Sequence, residues 1–94
     1  MWIRTTDNRL VNTDSIVQIS FDSATRKGNC SIVYESTSSG REMTLATYST
    51  IEQCSSVIAG LYEVLTSNRI IGVAMPKEDE IDDTLKEWYR QSGH

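Results

Sequence analysis

The apolar residues of this chain change their spacing twice. From Ile16 to Phe21, Val17, Ile19 and Phe21 alternate with Gln18 and Ser20, the two-residue period of a strand with one buried face. Cys30, Ile32 and Tyr34 repeat the pattern against Ser31, Val33 and Glu35, and Met43, Leu45 and Thr47 follow it again. The stretches ATRKGN (24–29) and STSSGR (36–41) separate these runs, and Gly40 can take the positive φ that a tight reversal needs. Upstream, Trp2 and Ile3 open a short strand, and Asp7 and Asn8 form a turn. The polar Asn12-Thr13-Asp14 separates Leu10-Val11 from Ile16 by a bend or bulge. The first half therefore predicts three or four antiparallel strands in hairpin order, with one apolar face in need of a cover.

After Ser49 the spacing lengthens. Ile51, Cys54, Ile58, Leu61 and Leu65 recur at three and four residues, with Val57 and Val64 widening the stripe, the pattern of an amphipathic helix. Ser49-Thr50-Ile51-Glu52 reads as a capping box, and Asn68 suits a left-handed cap at the far end. A helix from about Thr50 to Ser67 would cover the sheet. Gly60 inside it costs about 1 kcal/mol relative to alanine, which implies the close approach of another element. RIIGVAM (69–75) is a fifth strand or an extended linker, and Pro76 after it suits the first turn of a second helix. There Ile81, Leu85, Trp88 and Tyr89 fall at i, i+4, i+7 and i+8, on one helical face from Pro76 to about Gln91. Glu78, Asp79 and Glu80 near its start and Arg90 near its end match the helix dipole.

The predicted fold class is α+β: an antiparallel sheet of three to five strands packed on one helix, plus a C-terminal amphipathic helix. A length of 94 residues fits one domain, with strands and hairpins over 1–48, the covering helix over 50–67 and the acidic helix over 76–91. No apolar run approaches the roughly 20 residues of a membrane helix, and the first residues lack the long apolar core of a signal peptide. A cytoplasmic location is expected. Cys30 and Cys54 are too few for a disulfide framework and read as free, partly buried thiols. The net charge of −4 is uneven: residues 1–76 hold six bases and seven acids, and residues 77–94 hold three and six. Neither part carries the basic stripe that nucleic-acid binding requires.

Candidate chemistry is sparse. The one histidine, His94, is the last residue, which removes the usual general base and the commonest metal ligand. Ser36, Ser38 and Ser39 cluster in a turn with no base nearby in sequence. Asp79, Asp82 and Asp83 lack the alternating spacing and central glycine of a calcium loop, and no glycine-rich phosphate loop exists. No catalytic residue, cofactor or metal is expected. What remains is the apolar face of the second helix. Burying each of its large side chains is worth roughly 1.5 to 3 kcal/mol, so they meet either their own domain or a partner's groove. Ile81, Leu85, Trp88 and Tyr89 are therefore the candidate protein-interaction residues, with the acids as rim charge. The expected function is a non-enzymatic interaction or regulatory module, such as a phage-encoded effector. It would bind a protein partner or self-associate through the second helix, a free sheet edge, or both. The alternative is a small-ligand-binding protein with a site between subunits, lined by Arg4, Arg41, Tyr34 and Tyr48.

WIRTTDNRLVNTDSIVQI (2–19) resembles the opening of small bacterial proteins of the flagellar FlbD family, matching at Val11, Asn12, Asp14, Ile16 and Ile19. The resemblance extends over residues 1–65 and implies a short strand, a polar-tipped turn, a hairpin and a closing helix. It implies a small adaptor without catalytic residues, in which Asn12 to Asp14 is a structural turn. The chain departs from the family in its longer strands, its Ser-rich turn and its acidic C-terminal helix.

Overall fold

The computed structural model describes residues 1–22, 29–37, 40–67 and 70–93. The turn at 24–28, Ser38, Ser39, the proposed cap Asn68, and His94 lie outside the described residues. Six strands are described: β1 (Trp2–Arg4), β2 (Leu10–Asn12), β3 (Ile16–Asp22), β4 (Cys30–Ser36), β5 (Glu42–Tyr48) and β6 (Gly72–Ala74). Helix α1 (Ile51–Thr66) follows β5, and α2 (Ile81–Gln91) follows β6. The fold is α+β, but its strands form two three-stranded sheets, ordered β2-β1-β6 and β3-β4-β5, in place of the single sheet expected. The division falls at a 3-10 turn, Thr13–Ser15. Its polar side chains bind backbone locally: Asp14 N donates to Asn12 Oδ1 at 3.0 Å, and Ser15 Oγ to the Asn12 carbonyl at 2.8 Å. Thr13 Oγ1 donates to the Met1 carbonyl at 3.0 Å. These bonds hold the turn as structure and redirect the chain between β2 and β3.

The 69–75 segment supplies a strand. β6 pairs parallel with β1, Ile3 opposite Val73, and the ladder is extended by Trp2 N to the Ile71 carbonyl and Met75 N to the Arg4 carbonyl. Parallel neighbours need a long crossover, which the segment from β2 to α1 provides.

Two bulges reshape the larger sheet. Opposite Ile32 and Val33 stand Ala46 and Thr44, so Leu45 is an extra residue. Leu45 and Ala46 are consequently both buried, while Met43 and Thr47 are exposed. The expected grouping of Met43, Leu45 and Thr47 on one face fails because one inserted residue reverses the alternation beyond it. A second shift lies between Ile16 and Gln18, at Val17.

Helix α1 starts one residue later than expected. Thr50, not Ser49, is the cap: Gln53 N donates to Thr50 Oγ1 and Thr50 N donates to Gln53 Oε1, both at 3.1 Å. Ser49 N instead donates to Glu78 Oε1 at 2.7 Å, and the Ser49 hydrogen bonds hold the Glu78 carboxyl below the usual carboxylate range. The helix also sits turned from the expected stripe. Cys54, Val57, Gly60, Leu61 and Val64 are buried, whereas Ile51 and Leu65 are exposed and Ile58 is half-buried. Residues 51, 58 and 65 lie about 100° round from 57 and its neighbours, so the expected stripe combined two adjacent faces.

The core gathers Ile3 from the small sheet, Ile32, Leu45 and Tyr48 from the large one, Leu61 from α1, and Met75, Ile81 and Trp88. Tyr48 passes through it, and its hydroxyl donates to the Pro76 carbonyl at 2.7 Å; burial raises the phenol's pKa well above its ordinary value. With its carbonyl so held, Pro76 stays outside the second helix. A short 3-10 turn (Glu78–Glu80) intervenes, fastened by Lys77 N to Glu80 Oε1 at 3.1 Å. Both cysteines are buried and free. Burial, then the neighbouring Cys30, pushes the Cys54 thiol up to about 12, which leaves it unreactive near neutral pH. No helix among the described residues is long and apolar enough to cross a membrane.

Candidate interaction surface

Helix α2 has the amphipathic pattern expected of it, and its apolar face is turned onto the chain's own core. Ile81 and Trp88 are only 6% and 4% exposed, and Leu85 and Tyr89 are half-buried. The contact runs through Gly60 of α1. A Cβ placed there would lie 2.5 Å from Leu85 Cδ2 and 3.0 Å from Trp88 Cε3. The glycine that costs α1 helical propensity thus admits α2 at close range, the approach its position implied. Asp82 and Asp83 face solvent. Glu87 accepts from Arg90 Nε at 3.2 Å and from Gln91 Nε2 at 2.8 Å, bonds that hold its carboxyl below the usual range. Ile81 and Trp88 would have to leave the core to anchor in another chain.

The four residues named for a ligand site are dispersed. Arg4 lines a polar cleft of about 390 Å³ with Thr5, Asn8, Lys77 and Glu80. Tyr34 lines a different one, and its hydroxyl donates to Met43 Sδ at 3.5 Å. Tyr48 is buried beneath Pro76, and Arg41 lies exposed before β5. Among the described residues, no group of three or more His, Cys, Asp or Glu side chains is placed to hold a metal ion.

A surface that the sequence did not single out lies on the flank of α1 opposite to α2. Strand β3 is an edge: it pairs with β4 on one side, and no other described strand joins it. The other edge of that sheet, β5, is covered by the β1–β2 turn, where Thr6 N donates to the Leu45 carbonyl at 3.2 Å and the Arg9 guanidinium to the Thr44 carbonyl. β3 has no such covering among the described residues. Its sequence, IVQISFD, lacks the proline, lysine or arginine that usually blunts an edge, and its one charge is Asp22 at the end. Phe21 stands opposite Ile32 and Ile19 opposite Tyr34, so both face the side that α1 covers. Yet Phe21 is 42% exposed, Val17 64% and, on the adjoining helix flank, Tyr62 63%. Val17 and Ile19 share a shallow groove with Leu65, and Ile19 and Phe21 share the next with Ile58. The result is a largely apolar flank beside a strand edge that no other described strand joins.

The sequence signal for this flank was present in two parts. Val17, Ile19 and Phe21 alternate as a strand face should, and Ile51, Ile58 and Leu65 recur at seven residues with Tyr62 beside them. By period alone Val17, Ile19 and Phe21 read as the covered face of the sheet, and Ile51, Ile58 and Leu65 as part of the covering stripe. Comparison of the chain with protein-family models, with curated proteins and with solved structures returns no match.

Proposed function

We propose that this chain is a non-enzymatic protein-interaction module that binds through the flank made by β3 and α1. One observation carries the reading: the outer edge of β3 (Ile16–Asp22), without proline, lysine or arginine and bulged only at Val17, is joined by no other described strand and lies beside an apolar helix flank. An open edge offers main-chain hydrogen bonds to an incoming strand, and the alternate side chains beside it supply specificity. An apolar surface of this kind, rare on proteins that act alone, marks a contact site. Helix α2 serves as the internal cover that holds α1 in place, and its acids keep that side of the molecule wet and charged. The adaptor role implied by the FlbD resemblance agrees with this class of function.

The test is site-specific photo-crosslinking in cells, with a benzophenone amino acid at Val17, Tyr62 or Tyr89 in turn. Val17 and Tyr62 are expected to give protein adducts and Tyr89 none. Adducts from Tyr89 alone would overturn the proposal and return the interaction to the second helix.

A further inference from the structure

We infer that the cleft between the β1–β2 turn and the start of α2 is a binding site for a small phosphate-bearing molecule, gripped by Arg4 and Lys77. The cleft shares no lining residue with the β3–α1 flank, so the inference stands apart from the reading of that flank.

The pairing of β1 with β6 brings the two cations together. Ile3 is buried and Arg4, the next residue of the strand, is exposed, so its side chain leaves the core. Its register partner is Ala74, which offers only a methyl group and leaves room beside the guanidinium. Met75 N donates to the Arg4 carbonyl at 2.8 Å, and the chain reaches Lys77 two residues later. Both cations line the same cleft of about 390 Å³, within the roughly 300–1,000 Å³ of small-molecule sites.

The chain has a net charge of −4, yet these two cations are left without a carboxylate partner. The ion pairs among the described residues join Arg9 to Asp7 and Arg90 to Glu87, and neither Arg4 nor Lys77 takes part in one. Glu80 is the one acid lining the cleft. Its Oε1 accepts from the Lys77 backbone N–H at 3.1 Å, which fastens it to the 3-10 turn. Two positive charges therefore face one negative charge, and an anion is the ligand that balances them.

The neutral lining narrows the class of anion. Thr6 and Asn8 of the β1–β2 turn and Thr84 of α2 add hydroxyl and amide donors, so donors reach the cleft from several elements. A phosphate group has three strong acceptor oxygens around a tetrahedral centre, and it can accept from more directions than a flat carboxylate. Arginine grips two such oxygens at once and lysine adds a point charge. Met75 and Pro76 of the lining are buried, so little apolar surface is offered and the ligand is small and polar. The walls are also held by the chain's own bonds. Tyr48 Oη fixes the Pro76 carbonyl at 2.7 Å, Asn8 N donates to the Thr5 carbonyl at 3.0 Å, and Arg9 N donates to Thr5 Oγ1 at 2.9 Å. A site fixed in this way spares the ligand the cost of ordering it.

Nuclear magnetic resonance titration of the full chain tests the inference, with inorganic phosphate and glycerol phosphate as probes and chloride at equal ionic strength as control. Saturable shifts are expected at the amides of residues 4–8, Lys77 and Thr84 with a phosphate probe, and none with chloride. Arg4→Gln and Lys77→Gln, both at exposed positions, should each raise the dissociation constant about tenfold and keep the wild-type thermal midpoint. Arg4→Lys restores the charge without the two-pronged grip and should bind more weakly than the wild type. Tighter binding of glycerol phosphate assigns the site to a phosphorylated small molecule, and equal or tighter binding of inorganic phosphate assigns it to the free ion. The absence of a saturable shift with either phosphate overturns the inference. So do equal shifts with chloride, or binding that Arg4→Gln and Lys77→Gln leave unchanged.

Discussion

Trp88→Ala is expected to cost about 3–5 kcal/mol of folding stability, the range for deleting a buried tryptophan or phenylalanine side chain. That is a large share of the roughly 5–15 kcal/mol that keeps a domain folded, so the variant should be largely unfolded at moderate temperature. The magnitude follows from position. Trp88 is 4% exposed and belongs to the same core as Ile3, Leu61 and Tyr48, and its ring lies against the backbone of Gly60. No smaller residue fills that space, and the rigid sheet behind α1 limits collapse. A chain stopped at Ala74 removes Met75, Ile81 and Trp88 together and should fall further in the same direction. Urea unfolding followed by far-ultraviolet circular dichroism reads both. A truncated chain with the urea midpoint of the intact one would show α2 to be an appendage.

Gly60→Leu should destabilise nearly as much, by about 3 kcal/mol, through overpacking instead of a cavity. Even the first carbon of the new side chain would stand 2.5 Å from Leu85 Cδ2. For a methyl group Leu85 can turn aside and the Trp88 ring need give only a few tenths of an ångström, but the remaining atoms of a leucine must displace that ring. Gly60→Ala is the informative control. It gains up to about 1 kcal/mol of helix propensity, but its methyl meets Leu85 Cδ2 at 2.5 Å and the Trp88 ring at 3.0 Å, so it should be destabilised far less than Gly60→Leu. The readout is the emission of Trp88 in a Trp2→Phe background, because Trp2 is already half-exposed. Gly60→Leu should shift that emission to the red as water reaches the ring, and Gly60→Ala should leave it in place.

Much of the architecture was legible in the sequence, and the failures have identifiable causes. Periods of two and of three-to-four residues located β3, β4, β5, α1 and α2, and the price of Gly60 announced a close neighbour. What periodicity cannot convey is which of two adjacent faces a helix buries. The apolar residues of α1 extend round more than a third of its circumference, and only the approach of α2 at Gly60 selects Val57, Leu61 and Val64 over Ile51, Ile58 and Leu65. Nor are the bulges at Val17 and Leu45 marked by glycine or proline; they arise from pairing with β4 and so depend on tertiary context. The parallel partner of β6 was equally hidden, since a three-residue strand carries no record of its neighbour. For the candidate site the pattern located two apolar surfaces, Ile81 to Tyr89 and Val17 to Phe21. It left the first to either the chain's own core or a partner's groove and gave the second to the core; the structure buries Ile81 and Trp88 and leaves Val17 and Phe21 exposed.

The central claim is that β3 is a working edge, and amide hydrogen exchange on the full chain tests it most directly. Exchange should be followed residue by residue, with β4 as internal reference because it is paired on both sides within the chain. The account predicts that the amides of Ile16–Asp22 directed away from β4 exchange much faster than those of Cys30–Ser36, which lie between two strands. Protection of those outward amides equal to that of β4 in the isolated chain would contradict it.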